Sequence, residues 1–294
     1  ILIGLVGSEM CIRDRYIMIL PVLIYLFLFC YKPMYGLVIA FKDYKITRGI
    51  EGSSWSNPWY KWFLNFFTDP YFGRLLKNTF LISGLTILFG FPAPIILALM
   101  INEVKNSAFK RTVQTITYMP YFISMVVLCG LLKTFCMQDG LFAQIAVLFG
   151  GKAQNYLANP AYFRTIYVLS DIWSGIGWNS IIYLAALSSI DQEQYEAARV
   201  DGANRFQRII HVDLPAIVPT IITMLIFNCA SIMNIGFDKV YLMQNDMNID
   251  RAEVISTFVY KVGLTRGDFS FSTAAGLFQS LVSFILLVIV NKIC

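Results

Sequence analysis

Between residues 188 and 215 the chain gathers the groups best suited to recognising another molecule. The segment reads Ser188-Ser189-Ile190-Asp191-Gln192-Glu193-Gln194-Tyr195-Glu196-Ala197-Ala198-Arg199-Val200-Asp201-Gly202-Ala203-Asn204-Arg205-Phe206-Gln207-Arg208-Ile209-Ile210-His211-Val212-Asp213-Leu214-Pro215. It offers the carboxylates Glu193, Glu196 and Asp201 beside an apolar set of Tyr195, Ala198, Phe206, Ile209 and Ile210. Ala197 and Ala198 permit close approach, Phe206 suits a buried aromatic anchor, and Glu196 can pair with or orient a basic group on a partner. An amphipathic loop resting on lipid headgroups is the plainer alternative. Acidic side chains in its first half would gain little from anionic lipid, so composition favours a protein partner.

Other chemistry is excluded by scarcity. His211 is the one histidine, and the six cysteines, Cys11, Cys30, Cys129, Cys136, Cys229 and Cys294, form no CxxC pair. They read as small hydrophobes. No HExxH, nucleophile-elbow or GxxxxGK[ST] pattern occurs, so no metal site, catalytic cluster or phosphate loop is expected. If this chain works with ATP, the motor lies on another polypeptide.

The elements that position the loop are set by hydropathy. Apolar residues make up 57% of the 294 and charged residues only 14%, with a mean hydropathy of +0.63; a soluble domain is near a quarter charged. The apolar residues fall in stretches of about twenty, enough to cross roughly 30 Å of hydrocarbon. Six all-α spans are predicted, at 16–31 (extending to 41 if the helix continues), 79–101, 113–135, 165–187, 216–236 and 271–291. The fourth is the most polar, with a solitary Asp171. One domain covering 1–294 is the economical reading, since no internal repeat or linker is visible. The first stretch lacks a small-residue cleavage site and is kept as a helix. Basic residues are spread almost evenly between the two sides, and the compact group at 105–111 is the strongest local vote for a cytoplasmic N-terminus. The net charge of +5 fits anionic lipid heads and gives no reason to expect nucleic acid.

Polar and aromatic groups inside such spans should face the bundle interior. The fourth stretch has Trp173, Trp178, Asn179 and Tyr183, and the fifth has Asn228 and Asn234. Asn179 and Tyr183 are four apart and share a face, whereas Asn228 and Asn234 need not. Aromatic faces flanked by amides suit sugar rings, but helix–helix hydrogen bonding explains the same residues. Ser174, Gly175 and Gly177 read as points of close helix approach. Outside the spans, 49–69 is rich in Trp and Phe, and the short apolar pieces 141–149 and 254–262 are too short to cross; each is expected as a short interfacial helix.

Within the loop, 190–213, Asp191 is expected to cap a helix over 192–200 with its side-chain oxygen. Gly202 lets the chain turn, and Asn204 caps a second helix through Ile210. Pro215 disfavours helix at Leu214 and opens the next span. Two short helices at an angle follow.

The run from Glu196-Ala197-Ala198 through Asp201-Gly202-Ala203, followed by Phe206, Ile209 and Leu214-Pro215, closely resembles the EAA loop of binding-protein-dependent ABC importer permeases. The pieces at 32–44, 118–124 and 139–141 resemble the branch of that family importing complex oligosaccharides in bacteria with a single membrane. The resemblance covers essentially the whole chain. It implies a six-helix type I importer permease in the cell membrane, a translocation path for oligosaccharides or polysaccharide fragments, and a cytoplasmic loop that couples to ATPase subunits through Glu196, Ala197, Ala198, Asp201, Gly202, Phe206, Leu214 and Pro215. It further implies a second permease subunit, expected to be a paralogue, two cytoplasmic ATPases that hold ATP and Mg, and an external, often lipid-anchored, solute-binding protein. This chain itself is then no enzyme and binds no cofactor. A secondary transporter or channel subunit without an ATPase is the alternative. The chain begins at Ile1 without a methionine and ends at Cys294, short of the tail that such permeases carry, so a trimmed terminus is expected.

Overall fold

The computed structural model describes residues 2–233 and 235–293, with side chains from residue 14 onward. The named elements are all helical, and an isolated antiparallel bridge joins Lys42 to Trp55. Among the described residues, five runs are long and apolar enough to cross a membrane: Asp14–Phe41, Phe72–Asn102, Met125–Leu148, Arg205–Ala230 and Phe269–Ile293. The chain is thus an all-α, multi-pass membrane protein. It divides into two compact units, residues 1–68 with 262–277 and residues 69–261 with 278–294.

In the first unit, helix Leu2–Tyr25 runs on through a wide turn at Leu26–Tyr31 and a tight turn at Tyr35–Phe41. The helical path thus reaches Phe41. Among the described residues nothing buries the side chains of its apolar window, which leaves Tyr16, Met18, Phe27 and Phe29 bare; so long an apolar face needs lipid or another apolar surface. Beyond it the chain folds back on itself. The Lys42 ammonium donates to the Ile50 carbonyl at 2.7 Å and sits over the Trp55 ring, while Lys61 and Asp43 pair at 2.9 Å. That hydrogen bond from Lys61 holds the Asp43 carboxyl below its usual range, against a smaller opposing effect of burial. The aromatic segment supplies the short helix Lys61–Phe67, with Trp55 and Trp59 exposed.

The second unit is organised by the long helix Pro160–Ser188. It packs against Pro92–Asn102, Leu214–Ala230 and Ser107–Tyr118. One core cluster gathers Ile82, Leu128, Leu132, Phe163, Tyr167, Val240 and Met243; another gathers Ile95, Ala98, Tyr183, Leu187 and Ile217. This helix contains the fourth predicted stretch. At 29 residues it is long enough to span but is not among the five apolar runs. Its serines, tryptophans, Asn179 and Asp171 lower its hydropathy.

Several boundaries differ from expectation: the second run starts at Phe72 rather than 79 and the long helix at Pro160 rather than 165. The third stretch, 113–135, is not one helix: Ser107–Tyr118 ends in a tight turn at Met119–Phe122, and a new helix, Met125–Cys136, starts after Ser124. Pro120 supplies no N–H and Ile123 is extended. Ser124 accepts from the Val127 amide at 3.4 Å, the cap that a fresh helix start requires. The fifth stretch ends as helix at Ala230 rather than 236, because the chain turns at Ser231–Met233. At its other end the helix starts before 216, as described below.

Segments beyond Ala230 are tied back by polar contacts. Asn78 donates to the carbonyls of Asp250 and Glu253, both at 2.9 Å, and accepts from Arg164 at 2.8 Å. The buried Glu253 carboxylate takes Arg74 at 2.8 Å and Lys261 at 2.9 Å. Its charge is thereby matched on both oxygens, the condition under which a buried carboxylate is tolerable. Of the two short apolar pieces, 254–262 includes the helix Ile255–Tyr260 and 141–149 the helix Leu141–Leu148.

Gly177 is a point of close helix approach. A side-chain carbon there would fall on the Thr117 carbonyl, whereas one at Gly175 would meet only Asn179 of the same helix. Gly177→Val should therefore overpack the crossing by about 1–3 kcal/mol. The expected result is a lower midpoint in thermal unfolding of the detergent-purified protein, with Gly175→Ala much closer to wild type.

Candidate functional site

The polar loop forms as a hinged pair of segments. Gln192–Val200 is helical, as its run of good helix formers predicts. Asp191 stands at its N-cap position but makes no side-chain capping bond, which corrects the expectation. It contributes its backbone carbonyl to Gln194 instead, at 3.1 Å, and its exposed carboxylate is left to water. Gly202 turns the chain at φ +74°, with open space where a side chain would be. Asn204 caps the next helix, Arg205–Arg208: it accepts from the Gln207 amide at 2.9 Å, and the Gln207 side chain accepts from the Asn204 amide at 2.8 Å.

That second segment is not a separate short helix ending at Ile210. It passes through a wide turn at Ile209–Asp213 directly into Leu214–Ala230, and Leu214 is helical, at φ −64° and ψ −47°. The wider turn gives the Pro215 ring room that a regular turn would deny it, which overrides the usual preference of a pre-proline residue for extended backbone.

Glu196 is exposed and makes no hydrogen bond or ion pair among the described residues. Val200 and Phe206 are 88% and 70% exposed. Ala197, Ala198, Asp201 and Gly202 line a groove of about 540 Å³ between the two segments, with Gln207, Arg208 and His211 on its other side. Leu214 and Pro215 are exposed at the start of the span.

Sequence reasoning missed what fixes this loop. The Tyr195 hydroxyl donates to Asp213 Oδ1 at 2.5 Å and accepts from Asn102 at 3.4 Å. Asp213 is fully buried, and among the described residues its Oδ2 has no hydrogen-bond partner. Burial, and then the bond to Asp213, push the Tyr195 phenol up to about 12, so it stays a donor at neutral pH. Arg208 pairs with Glu103 at 3.1 Å. These partners lie beyond the loop or 18 residues apart within it, where local pattern gives no signal.

A second polar region lies along the long helix. Trp178, Asn179, Tyr183 and Asn228 line one cavity of about 540 Å³ together with Phe91, Pro94 and Met224. Trp178 stacks on Tyr121 with ring centres 4.6 Å apart, and Asn228 donates to the Met224 carbonyl of its own helix. Trp173 is exposed and does not join this group. Asn234 lies outside the described residues. A neighbouring cavity of about 190 Å³ shares Asn228 and adds Ser83, Thr86, Tyr167, Asp171, Ser231 and Lys239. Asp171 is not solitary: Lys239, buried, contacts it at 3.0 Å and donates to the Tyr167 carbonyl at 3.0 Å. Lys239 falls in what reads as an outer loop, so the pair was not legible.

Residues 90–293 match the family described as binding-protein-dependent transport system inner membrane component. Protein LplB of Bacillus subtilis (strain 168) is 43% identical over 284 residues, covering 96% of this chain and 89% of that protein. The polygalacturonan/rhamnogalacturonan transport system permease protein YteP of the same organism is 44% identical, over 95% and 86%. Among solved structures, a chain of a bacterial ABC transporter involved in the import of the acidic polysaccharide alginate superposes with a TM-score of 0.88 at 39% identity, covering 99% of this chain and 98% of that one.

The Gly202 turn gives a test of loop geometry by itself. Since nothing crowds the position, only its left-handed backbone resists substitution, and a β-branched residue there costs of order 1–3 kcal/mol. Gly202→Val should speed hydrogen exchange of amides across 192–208, while Gly202→Asn, which tolerates this conformation, should remain near wild type.

Proposed function

The chain belongs to the family of binding-protein-dependent transport system inner membrane components, and on that premise we propose that it is the membrane permease of an ATP-driven importer of oligosaccharides or polysaccharide fragments, coupled to its ATPases through the loop 190–213. The observation that carries this reading is the loop itself. A water-exposed segment that bares Val200 and Phe206 beside an unpaired Glu196 has the aromatic anchor and orienting charge of a docking surface, around a groove that a partner side chain can enter.

In this reading one permease domain, built of both units, spans the membrane six times with its N-terminus in the cytoplasm. The long helix Pro160–Ser188 supplies the polar span among the five apolar runs. Glu196, Ala197, Ala198, Asp201, Gly202 and Phe206 meet a cytoplasmic ATPase, with Leu214 and Pro215 leading its motion into the span. ATP and Mg belong to two such ATPases, and a second permease, a paralogue, completes the path. An external, lipid-anchored solute-binding protein delivers cargo. Support for the cargo class comes from relatives named for polygalacturonan/rhamnogalacturonan and for alginate, and from a cavity that sets the Trp178 ring beside Asn179, Tyr183 and Asn228. Stacking rings suit the C–H faces of sugars, and amides suit their hydroxyl rims.

The mechanism needs no chemistry on the solute. Outward-open and inward-open packings differ by a few kcal/mol, and ATP binding and the docked binding protein redistribute them. Trp173 and Asn234 are weaker members of the path.

Glu196→Ala should leave insertion and folding intact, since an exposed carboxylate contributes little to stability. Lost from a docked interface, a desolvated charge pair is worth about 2–5 kcal/mol. Solute-stimulated ATP hydrolysis and transport in reconstituted complexes should therefore fall by at least about tenfold. Wild-type rates together with wild-type ATPase affinity would make Glu196 an ordinary surface carboxylate. Intact-mass measurement of the purified complex should give two different permease masses; a single mass would refute the paralogue.

A further inference from the structure

Gly202 gives the loop a backbone hinge with no side chain around it. A push on Gln192–Val200 would be absorbed there unless something braces the two segments. Tyr195 supplies a brace. It leaves the first segment, crosses the hinge, and donates at 2.5 Å to Asp213 in the turn where the loop becomes the span. The same hydroxyl accepts from Asn102 at the end of the Phe72–Asn102 run. The Tyr195 ring packs against the cluster of Ile95, Ala98, Leu187 and Ile217. On the second segment, Arg208 pairs with Glu103 just past that same run. Both halves of the loop are thus tied by side chains to one neighbouring run and to the start of the Arg205–Ala230 run.

Stability alone does not account for this choice of groups. Asp213 is fully buried, with one oxygen unpaired among the described residues, and a buried carboxylate is costly compared with apolar packing in the same space. What a short, directional bond to a charged acceptor adds is a fixed register between the parts it joins. We propose that Tyr195 and Asp213, seated against Asn102 and the Glu103–Arg208 pair, are positioning residues that form the rigid joint passing movement of the loop to the runs Phe72–Asn102 and Arg205–Ala230. This rests on the docking role proposed for the loop, and it assigns transmission to residues distinct from those that touch the ATPase.

The test compares Tyr195→Phe, the double variant Tyr195→Phe/Asp213→Leu, and Glu196→Ala in complexes reconstituted with the ATPases and the binding protein. Three quantities are measured: ATPase copurified per permease, thermal midpoint, and solute transported per ATP hydrolysed. Tyr195→Phe keeps the packed ring and removes only the bond; the double variant removes the buried charge as well, which restores stability when the loss was only an unpaired group. The expected result is stoichiometric ATPase in both variants, a midpoint recovered in the double variant, and transport per ATP reduced about tenfold or more in both, as loss of a hydrogen bond to a charged group allows. Wild-type transport per ATP in the double variant would overturn the joint and leave the pair a stability element. Should Glu196→Ala be impaired while the double variant is not, only the joint fails; should Glu196→Ala also behave as wild type, the docking role fails with it.

Discussion

Hydrocarbon gives a peptide group nothing to bond with, so wherever a helix stops inside an apolar layer its loose N–H and C=O groups must find partners within the protein. That constraint is met one break at a time. At the end of Leu214–Ala230 the turn carbonyls of Ile232 and Met233 are taken by Ser83 and by Gln279, the latter at 2.5 Å. After the break at Pro120, Ser124 restarts the helix. Ser83 and Gln279, polar groups within otherwise apolar runs, serve this need directly.

Charge obeys the same accounting. Glu253 is buried between Arg74 and Lys261, and Lys239 between Asp171 and the Tyr167 carbonyl. Both carboxylate oxygens of Glu253 are matched by a cation. Asp213 departs from the pattern, with one of its oxygens unpaired among the described residues. A chain that matches its other buried carboxylate this fully keeps such a group where position counts for more than stability.

Surface apolarity sorts by place. On Asp14–Phe41 the bare aromatic and aliphatic side chains belong to a run of membrane-crossing length. On the loop, Val200 and Phe206 are bare beside charged neighbours, where lipid tails are not the natural cover. These two kinds of exposure call for different partners, a bilayer for one and a protein groove for the other.

Much of this was legible in local pattern. Long apolar runs marked membrane helices because length against bilayer thickness is a one-dimensional property. Gly202 and Asn204 marked a turn and a cap because their requirements are met within a few residues. The EAA-like run gave the family for the same reason. Pattern failed where competing local rules met: Pro120 divided an apolar stretch that read as continuous, and a wide turn kept Leu214 helical ahead of Pro215. It could not reach pairings set by folding. Lys239 finds Asp171 across 68 residues, Arg208 finds Glu103 across 105, and Tyr195 finds Asp213 across a hinge. Sequence determined where most of the helical segments lie and which loop is exposed, since these depend on neighbours along the chain. Only tertiary structure decided which polar groups meet, because a buried charge selects its partner by distance in space.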